Sequence, residues 1–312
     1  MSRLEGRAKA PARSGELPEA SLDARLPDGP PATPAISEDE FARFQDFFYR
    51  KTGIVFGNGK RYFVDRRLAE RMVASGATSV RSYLLALKYD DPAEAELQRL
   101  INLMTVNETY FNREAYQLRC LVNSVLPEVV AGRAGQVSGP IRLWSLPCST
   151  GEEPYSMAIE LIENWKDVDR YDVEILASDI DSRVLAQARA GRYDERSLQH
   201  VTKAVRQRYF TRTDDGAWQV IDDLRASVDF SLVNLCDPKA MRRQNGRLDV
   251  IMCRNLLIYF DDVSRRQAAE AMFDALRPGG FVCLGHSESM SRISSLFTVR
   301  KFPDAIVYQK AF

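Results

Sequence analysis

A single glycine followed by two acids, Gly151-Glu152-Glu153, stands between an apolar run at 143–146 and a segment that opens with Pro154. The apolar run predicts a buried strand, and proline fits the first turn of a helix, where its missing N–H is not needed. A strand, a glycine turn and a helix are typical of a nucleotide site, but a phosphate cradle has several glycines and a positive helix end. The two acids would repel the pyrophosphate of NAD. They favour S-adenosylmethionine, which has no phosphate and carries a positive end; the alternative is that they only balance the helix dipole.

Asp179 follows the next apolar run, 173–178, and so ends the second predicted strand. Ligands of an open parallel sheet lie at the carboxyl ends of its strands, so this carboxylate can accept hydrogen bonds from both ribose hydroxyls. It lies 28 residues after Gly151, farther than the separation of about 20 that is usual in dinucleotide sites. The alternative role is to cap a helix at 181–190, for which Asp181 is better placed.

Polar side chains also follow the later apolar runs, at 228–233 and 248–253, and a further apolar run lies at 280–284. Helical segments alternate with these runs, which predicts a parallel sheet with helices on both faces. We therefore expect a Rossmann-like α/β fold. The polar residues that reach the same edge of the sheet are Asn234, Asp237, Arg254, Asn255 and Tyr259.

The chain divides by composition into several parts. Residues 1–36 hold six prolines and no aromatic residue, which predicts a disordered tail. Residues 37–106 contain four helical segments, the first opened by the capping-box pair Ser37 and Glu40, and predict an all-helical domain. The remaining part is an α/β domain at 121–312 with a small antiparallel β insertion at about 205–230.

The bulk composition excludes several classes of function. Basic and acidic residues number 43 each, so no global charge points to nucleic acid. No apolar run approaches 18 residues, so we expect no membrane insertion. Five scattered cysteines and two histidines indicate a reduced cytoplasmic protein without a metal centre, and we expect a monomer.

Six motifs in chain order resemble the CheR-type chemoreceptor glutamate methyltransferases: NETYFNRE, STGEEPYS, ASDID, VNL, CRNLLIYF and LRPGGFVCLGHSES. The resemblance covers residues from about 38 to 310. It implies a helical N-terminal domain, a linker and an S-adenosylmethionine-dependent methyltransferase domain with a small β insertion. It also implies methyl transfer to glutamate side chains on the cytoplasmic helices of methyl-accepting chemotaxis receptors, with S-adenosylhomocysteine as the product.

By this resemblance, the linker at 107–120 closes over the cofactor, Glu153 meets the methionine ammonium and Asp179 the ribose. Arg113 and Tyr259 lie nearest the methyl group and act as the catalytic residues. From the residues alone, Arg113 would be expected to form a structural salt bridge, and Tyr259 would be expected to pack in the core with its polar tip at the edge. The expected cofactor contacts are Asn107, Thr109, Arg113, Gly151, Glu153, Asp179, Asn234, Leu235, Arg254 and Asn255.

Methyl transfer to a glutamate needs no general base, because a side chain with a pKa of about 4.3 is already ionised at neutral pH. We accordingly expect structural roles for His286 and for Cys148. Many relatives carry a second phenylalanine where this chain has Asn112, which leaves the packing beside Arg113 open.

The segment at 59–73 predicts a basic helix that docks the receptor. Lys60, Arg67 and Arg71 are expected on a flank beside its apolar face, opposite a partner rich in glutamate. The alternative is a solvated basic face. Relatives that bind a receptor C-terminal pentapeptide carry a longer, glycine-rich loop in the β insertion, so we expect no such tether here.

Two other functions fit parts of the sequence. A regulator could bind the cofactor without turnover, but intact Arg113 and Tyr259 disfavour this. A methyltransferase could act on a small acid, but a small substrate needs no helical docking domain.

Overall fold

The computed structural model of the chain describes residues 36–92, 94–133 and 139–312. The predicted disordered tail at 1–36 lies outside the described residues, apart from Ile36. None of the helices in the described ranges is long and apolar enough to cross a bilayer. The α-helices are α1 (Glu38–Thr52), α2 (Arg61–Ser75), α3 (Val80–Tyr89), α4 (Ala95–Met104), α5 (Ala115–Cys120), α6 (Leu126–Arg133), α7 (Glu152–Asn164), α8 (Ser182–Ala190), α9 (Lys203–Tyr209), α10 (Asp222–Ala226), α11 (Pro238–Arg242) and α12 (Asp262–Ala275). The strands are β1 (Ile141–Ser145), β2 (Val173–Asp179), β3 (Arg192–Tyr193), β4 (Phe210–Arg212), β5 (Trp218–Val220), β6 (Val228–Leu232), β7 (Leu248–Cys253), β8 (Leu276–Leu284), β9 (Phe297–Lys301) and β10 (Ile306–Lys310).

Helices α1 to α4 pack around an aromatic and aliphatic core. Ser37 and Glu40 form the predicted capping box: the Ser37 hydroxyl accepts the Glu40 N–H at 3.2 Å, and the Glu40 carboxylate accepts the Ser37 N–H at 3.0 Å. Phe44, Phe48 and Tyr83 are fully buried in the core. Burial of these apolar faces stabilises the short helices more than their intrinsic propensity does.

The seven-stranded sheet has the order β6-β2-β1-β7-β8-β10-β9. Its first five strands are parallel, and β10 and β9 continue it in antiparallel pairing. Two separate apolar clusters lie against it. The predicted Rossmann-like α/β class, preceded by helices, is thus confirmed. The chain runs to opposite sides of β1, so the switch point where such sheets bind ligands lies between β1 and β7.

A small antiparallel sheet in the order β3-β5-β4 forms the insertion. β4 and β5 lie within the predicted range of 205–230, but Arg192–Tyr193 comes from before it, and Val228–Leu232 pairs in the large sheet. The sequence could not indicate a two-residue strand, because two residues show no alternation.

Side-chain hydrogen bonds attach the helical part to the carboxyl edge of the large sheet. They come from α4 and from the end of α1, so two separate places are joined. The helical part therefore forms a wall of the space above the switch point. The bonded pairs are Asn102–Ser182 at 2.9 Å, Thr105–Asp181 at 2.7 Å, and Asn234 to the Lys51 carbonyl at 2.7 Å.

Candidate active site

One cavity at the carboxyl edge brings together most of the residues predicted to bind the cofactor. The space between its lining residues, part of it open to solvent, is about 560 Å³. A second cavity of about 660 Å³ adjoins it and shares Asn107, Asp179 and Asn255; Tyr259 lines this second cavity. The predicted residues that line the first cavity are Asn107, Thr109, Arg113, Glu153, Asp179, Arg254 and Asn255.

Asp179 ends β2 and is only 2% exposed. One carboxylate oxygen accepts the Ser149 N–H at 2.8 Å and the other accepts the Asp181 N–H at 2.9 Å. Each oxygen therefore keeps a free acceptor site. Burial raises the pKa of Asp179 to about 6, because the backbone bonds offset only part of the lost hydration. Asp181 caps α8, as predicted, by accepting the N–H groups of Arg183 and Val184.

Arg254 is buried between two carboxylates, Glu153 and Glu114. Its guanidinium donates to Glu153 at 2.8 Å and lies 3.2 Å from Glu114, and its side chain is 3% exposed. Burial opposes the charge of Arg254, but the two carboxylates outweigh it and raise its pKa. Burial also raises the pKa of Glu153, although Arg254 and Ser145 oppose that shift. With both acids ionised and the imidazole of His286, which contacts Glu114 at 2.9 Å, neutral, this group has a net charge of −1 and would attract a cation beside Glu153.

The linker holds Arg113 between two residues in the left-handed conformation, Asn112 at φ 60° and Glu114 at φ 53°. Asparagine adopts this conformation more readily than a bulky side chain does, and Asn112 also donates to the His200 carbonyl at 3.1 Å. The Arg113 carbonyl accepts a hydrogen bond from Arg254 at 2.6 Å. The backbone of Arg113 is thus fixed; the residue lines the cavity, and its guanidinium donates to the Glu108 carbonyl at 2.7 Å.

Tyr259 ends a short 3₁₀ turn, Leu257–Tyr259, that follows β7. Burial raises the pKa of Tyr259, so its phenol is protonated at neutral pH. Glu288 holds the turn, because its carboxylate accepts the N–H groups of Asn255 and Leu257 at 2.8 and 2.7 Å. Glu288 and Glu114 were not predicted as site residues, although both lie within the motifs quoted above. The position of Glu288 just after an apolar run was the signal that could have found it.

Three predicted cofactor residues have other surroundings. The side chain of Asn234 is bonded to the Lys51 carbonyl, and Leu235 is buried in an apolar cluster beside the sheet. Gly151 has a φ of 97°, and a Cβ there would lie 2.9 Å from the Cβ of Ala188. Glycine is therefore needed for the close approach of α7 and α8. None of these three described residues lines either cavity, and their cofactor contacts stay predictions.

The three predicted docking residues do not share one open flank. Lys60 is exposed just before α2. Arg67 donates to the Leu103 carbonyl at 2.6 Å. Arg71 makes two bonds to Glu96, at 2.9 and 2.6 Å, and its side chain is only 15% exposed. We expected Arg67 and Arg71 to face a partner, but the structure directs both guanidinium groups to α4.

Two sequence families match the chain in consecutive stretches. The family described as CheR methyltransferase, all-alpha domain, matches residues 39–105, and the one described as CheR methyltransferase, SAM binding domain, matches residues 107–306. The chain is 49% identical over 275 residues to Chemotaxis protein methyltransferase 2 of Vibrio cholerae serotype O1, which covers 88% of this chain and 94% of that protein. It is 35% identical over 276 residues to the chemotaxis protein methyltransferase of Escherichia coli K12, and the match covers 85% of this chain and 90% of that protein. It is 32% identical over 274 residues to Chemotaxis protein methyltransferase 1 of Pseudomonas aeruginosa, and the match covers 86% of this chain and 97% of that protein.

Proposed function

The chain belongs to the CheR methyltransferase family, and from this we propose that it methylates glutamate side chains on the cytoplasmic helices of chemotaxis receptors. Its relatives are chemotaxis protein methyltransferases, and the cofactor of the matching domain is S-adenosylmethionine. The glutamate acceptor and the receptor helices are the finer parts of the proposal, as are a cytoplasmic location and a monomeric state. The glutamate acceptor and the receptor helices rest on the resemblance and on the chemistry of the two cavities, and the location rests on the scattered cysteines.

One observation carries the proposal: the carboxylates of Glu153 and Glu114 share a single buried guanidinium, that of Arg254, beside the cavity. The remaining negative charge fits the ammonium group of the cofactor's methionine part next to Glu153. The free acceptor sites of Asp179 fit the ribose hydroxyls. The same acids would repel a pyrophosphate, so the residues fit S-adenosylmethionine better than a dinucleotide.

Arg113 and Tyr259 account for the transfer step. When bound, the cofactor supplies a methyl group activated by a positively charged sulfur. Arg113 orients the incoming carboxylate, and the protonated phenol of Tyr259 donates a hydrogen bond to it. These contacts replace the water that the carboxylate loses on leaving solution. No general base is needed, and neither His200 nor His286 lines the two cavities.

Docking of the receptor on α2 stays a prediction, and it now rests on Lys60, which also lines the second cavity together with Tyr259. The absence of a pentapeptide tether is likewise proposed. It is supported by the short connection between β4 and β5, which contains one glycine, Gly216. An ion pair of 2.5 Å between Arg192 and Asp215 ties this connection to β3.

The test is to incubate the full chain with S-adenosylmethionine labelled in the methyl group and purified receptor cytoplasmic fragments. We expect label on the fragments and its release as methanol in mild base, because methyl esters are base-labile whereas methylated amines are not. Fragments with glutamine in place of the acceptor glutamates are the control. Cofactor binding without any labelling would indicate a regulator, and labelling of free glutamate alone would indicate a small-acid methyltransferase.

A further inference from the structure

A basic and apolar patch lies beyond Tyr259 and is not used by the roles assigned above. We define the α12 rim as the exposed side chains of Ile258, Val263, Arg266 and Arg292. Ile258 is 47% exposed and Val263 53%, and both arginines are exposed. Large apolar side chains exposed beside arginines are typical of protein interfaces.

The α12 rim borders a surface groove of about 770 Å³ that Leu257, Ile258, Arg266 and Arg292 help to line. The groove and the second cavity are lined by neighbouring residues of the 3₁₀ turn after β7. The first two residues of that turn, Leu257 and Ile258, line the groove, and the third, Tyr259, lines the second cavity. A chain segment bound in the groove would therefore contact the same turn that carries the phenol assigned to catalysis.

The charge that the groove offers to a partner is positive. Three basic side chains, Arg265, Arg266 and Arg292, line it against two acids; Asp262 pairs with Arg265 at 3.3 Å, and Glu288 accepts backbone N–H groups of the turn. The exposed Arg266 and Arg292 then set the sign of the local potential. An acidic segment would be attracted, and opposite charge chiefly speeds encounter and fixes orientation.

We propose that the α12 rim docks an acidic helical segment of the receptor, the one that carries the reacting glutamate. The proposal rests on the proposed function, because it takes the receptor as the partner. It also supplies positive charge beyond that of α2, where Arg67 and Arg71 are bonded to α4. Carboxylates of the segment pair with Arg266 and Arg292, and its apolar side chains cover Ile258 and Val263.

The experiment compares the double variant Arg266→Glu/Arg292→Glu with a control of equal charge change, Lys166→Glu/Arg170→Glu. The control positions are exposed and lie just before β2, at the opposite end of the sheet. Methylation rates are measured against the concentration of receptor fragment at low ionic strength. We expect the KM of the rim variant to rise about tenfold, because two attractive pairs become repulsive, with kcat and S-adenosylhomocysteine affinity unchanged. The difference should shrink in high salt, which screens exposed charges.

A rim variant whose KM stays within twofold of the wild type, or whose change the control shares, overturns the docking surface. Calorimetry with S-adenosylhomocysteine identifies a misfolded variant, and Arg266→Gln/Arg292→Gln then serves, with an expected rise of about threefold. If the wild type labels no receptor fragment, the proposed function fails and the docking surface with it. If the wild type labels fragments and the rim variant does so equally well, only the docking surface fails.

Discussion

Asp179 should make cofactor affinity depend on pH in a direction that its surroundings determine. The ionised carboxylate accepts hydrogen bonds from both ribose hydroxyls, whereas protonation turns one of its oxygens into a donor, so the ionised form binds the ribose more tightly. With a pKa of about 6, Asp179 is about 90% ionised at pH 7 and about 10% ionised at pH 5. The affinity for S-adenosylhomocysteine should therefore fall about tenfold from pH 7 to pH 5 and change little above pH 7.

Calorimetry of the wild type and of Asp179→Asn from pH 5 to pH 8 tests this. The variant loses a charge-assisted hydrogen bond, which costs roughly 1.5–3 kcal/mol or about 10- to 150-fold in affinity at pH 7. Its affinity for S-adenosylhomocysteine should not change with pH. At pH 6 the wild type should release about half a proton per ligand bound, which makes the heat depend on the buffer. A wild-type affinity that does not change with pH refutes the ribose assignment. A pH dependence that persists in Asp179→Asn would instead indicate Glu153, because burial also raises the pKa of Glu153.

The same burial should act in the opposite direction on the stability of the empty protein. The folded pKa of about 6 exceeds the ordinary 3.8, so the contribution of Asp179 is fully favourable below pH 3.8 and is lost as pH rises through 6. Ionised Asp179 then costs on the order of 3 kcal/mol at neutral pH. The difference in unfolding free energy between Asp179→Asn and the wild type, measured by urea denaturation, should therefore shift by about 3 kcal/mol in favour of the variant from pH 4 to pH 8. A constant difference would contradict the raised pKa.

Four further outcomes are expected. Arg113→Ala and Tyr259→Phe should lower kcat with little effect on S-adenosylhomocysteine affinity; wild-type kcat with lost binding would contradict the catalytic assignment. Glu288→Gln should lower kcat and also the unfolding free energy by roughly 1.5–3 kcal/mol, because an amide accepts hydrogen bonds through only one of its two terminal atoms. An unchanged kcat and an unchanged melting temperature would show that Glu288 does not stabilise the turn. Lys60→Glu should raise the KM for receptor fragments and leave stability unchanged, whereas Arg71→Glu should destabilise the fold by roughly 3–5 kcal/mol by placing two acids together; equal melting temperatures would refute this contrast. A receptor C-terminal pentapeptide should give no binding signal in calorimetry, and a micromolar Kd would disprove the absence of a tether.

The sequence could predict those site residues that act from the end of a recognisable strand. Asp179 and Arg254 follow apolar runs, so their place at the edge of the sheet followed from the fold class. The place of Glu288 could have been predicted in the same way, but not its bonds to the turn, because these depend on backbone groups that only folding brings near: Asn255 lies 33 positions before it.

The basic helix shows a second limit. Val64, Leu68 and Met72 recur at helical spacing in the sequence and lie in the core of the helical part. This spacing could not reveal that α4 presents Glu96 to Arg71, because periodicity identifies a face of a helix and not the side chains opposite that face.

The hydrogen bonds between α4 and α8 have a consequence for how the chain is inherited. The two matching families meet between residues 105 and 107, yet Asn102–Ser182 and Thr105–Asp181 join one to the other. A helical part exchanged between relatives keeps these bonds only if the matching side chains come with it. Positions 102 and 182, and positions 105 and 181, should therefore change together during evolution. The two parts are expected to descend as one unit and not as interchangeable modules.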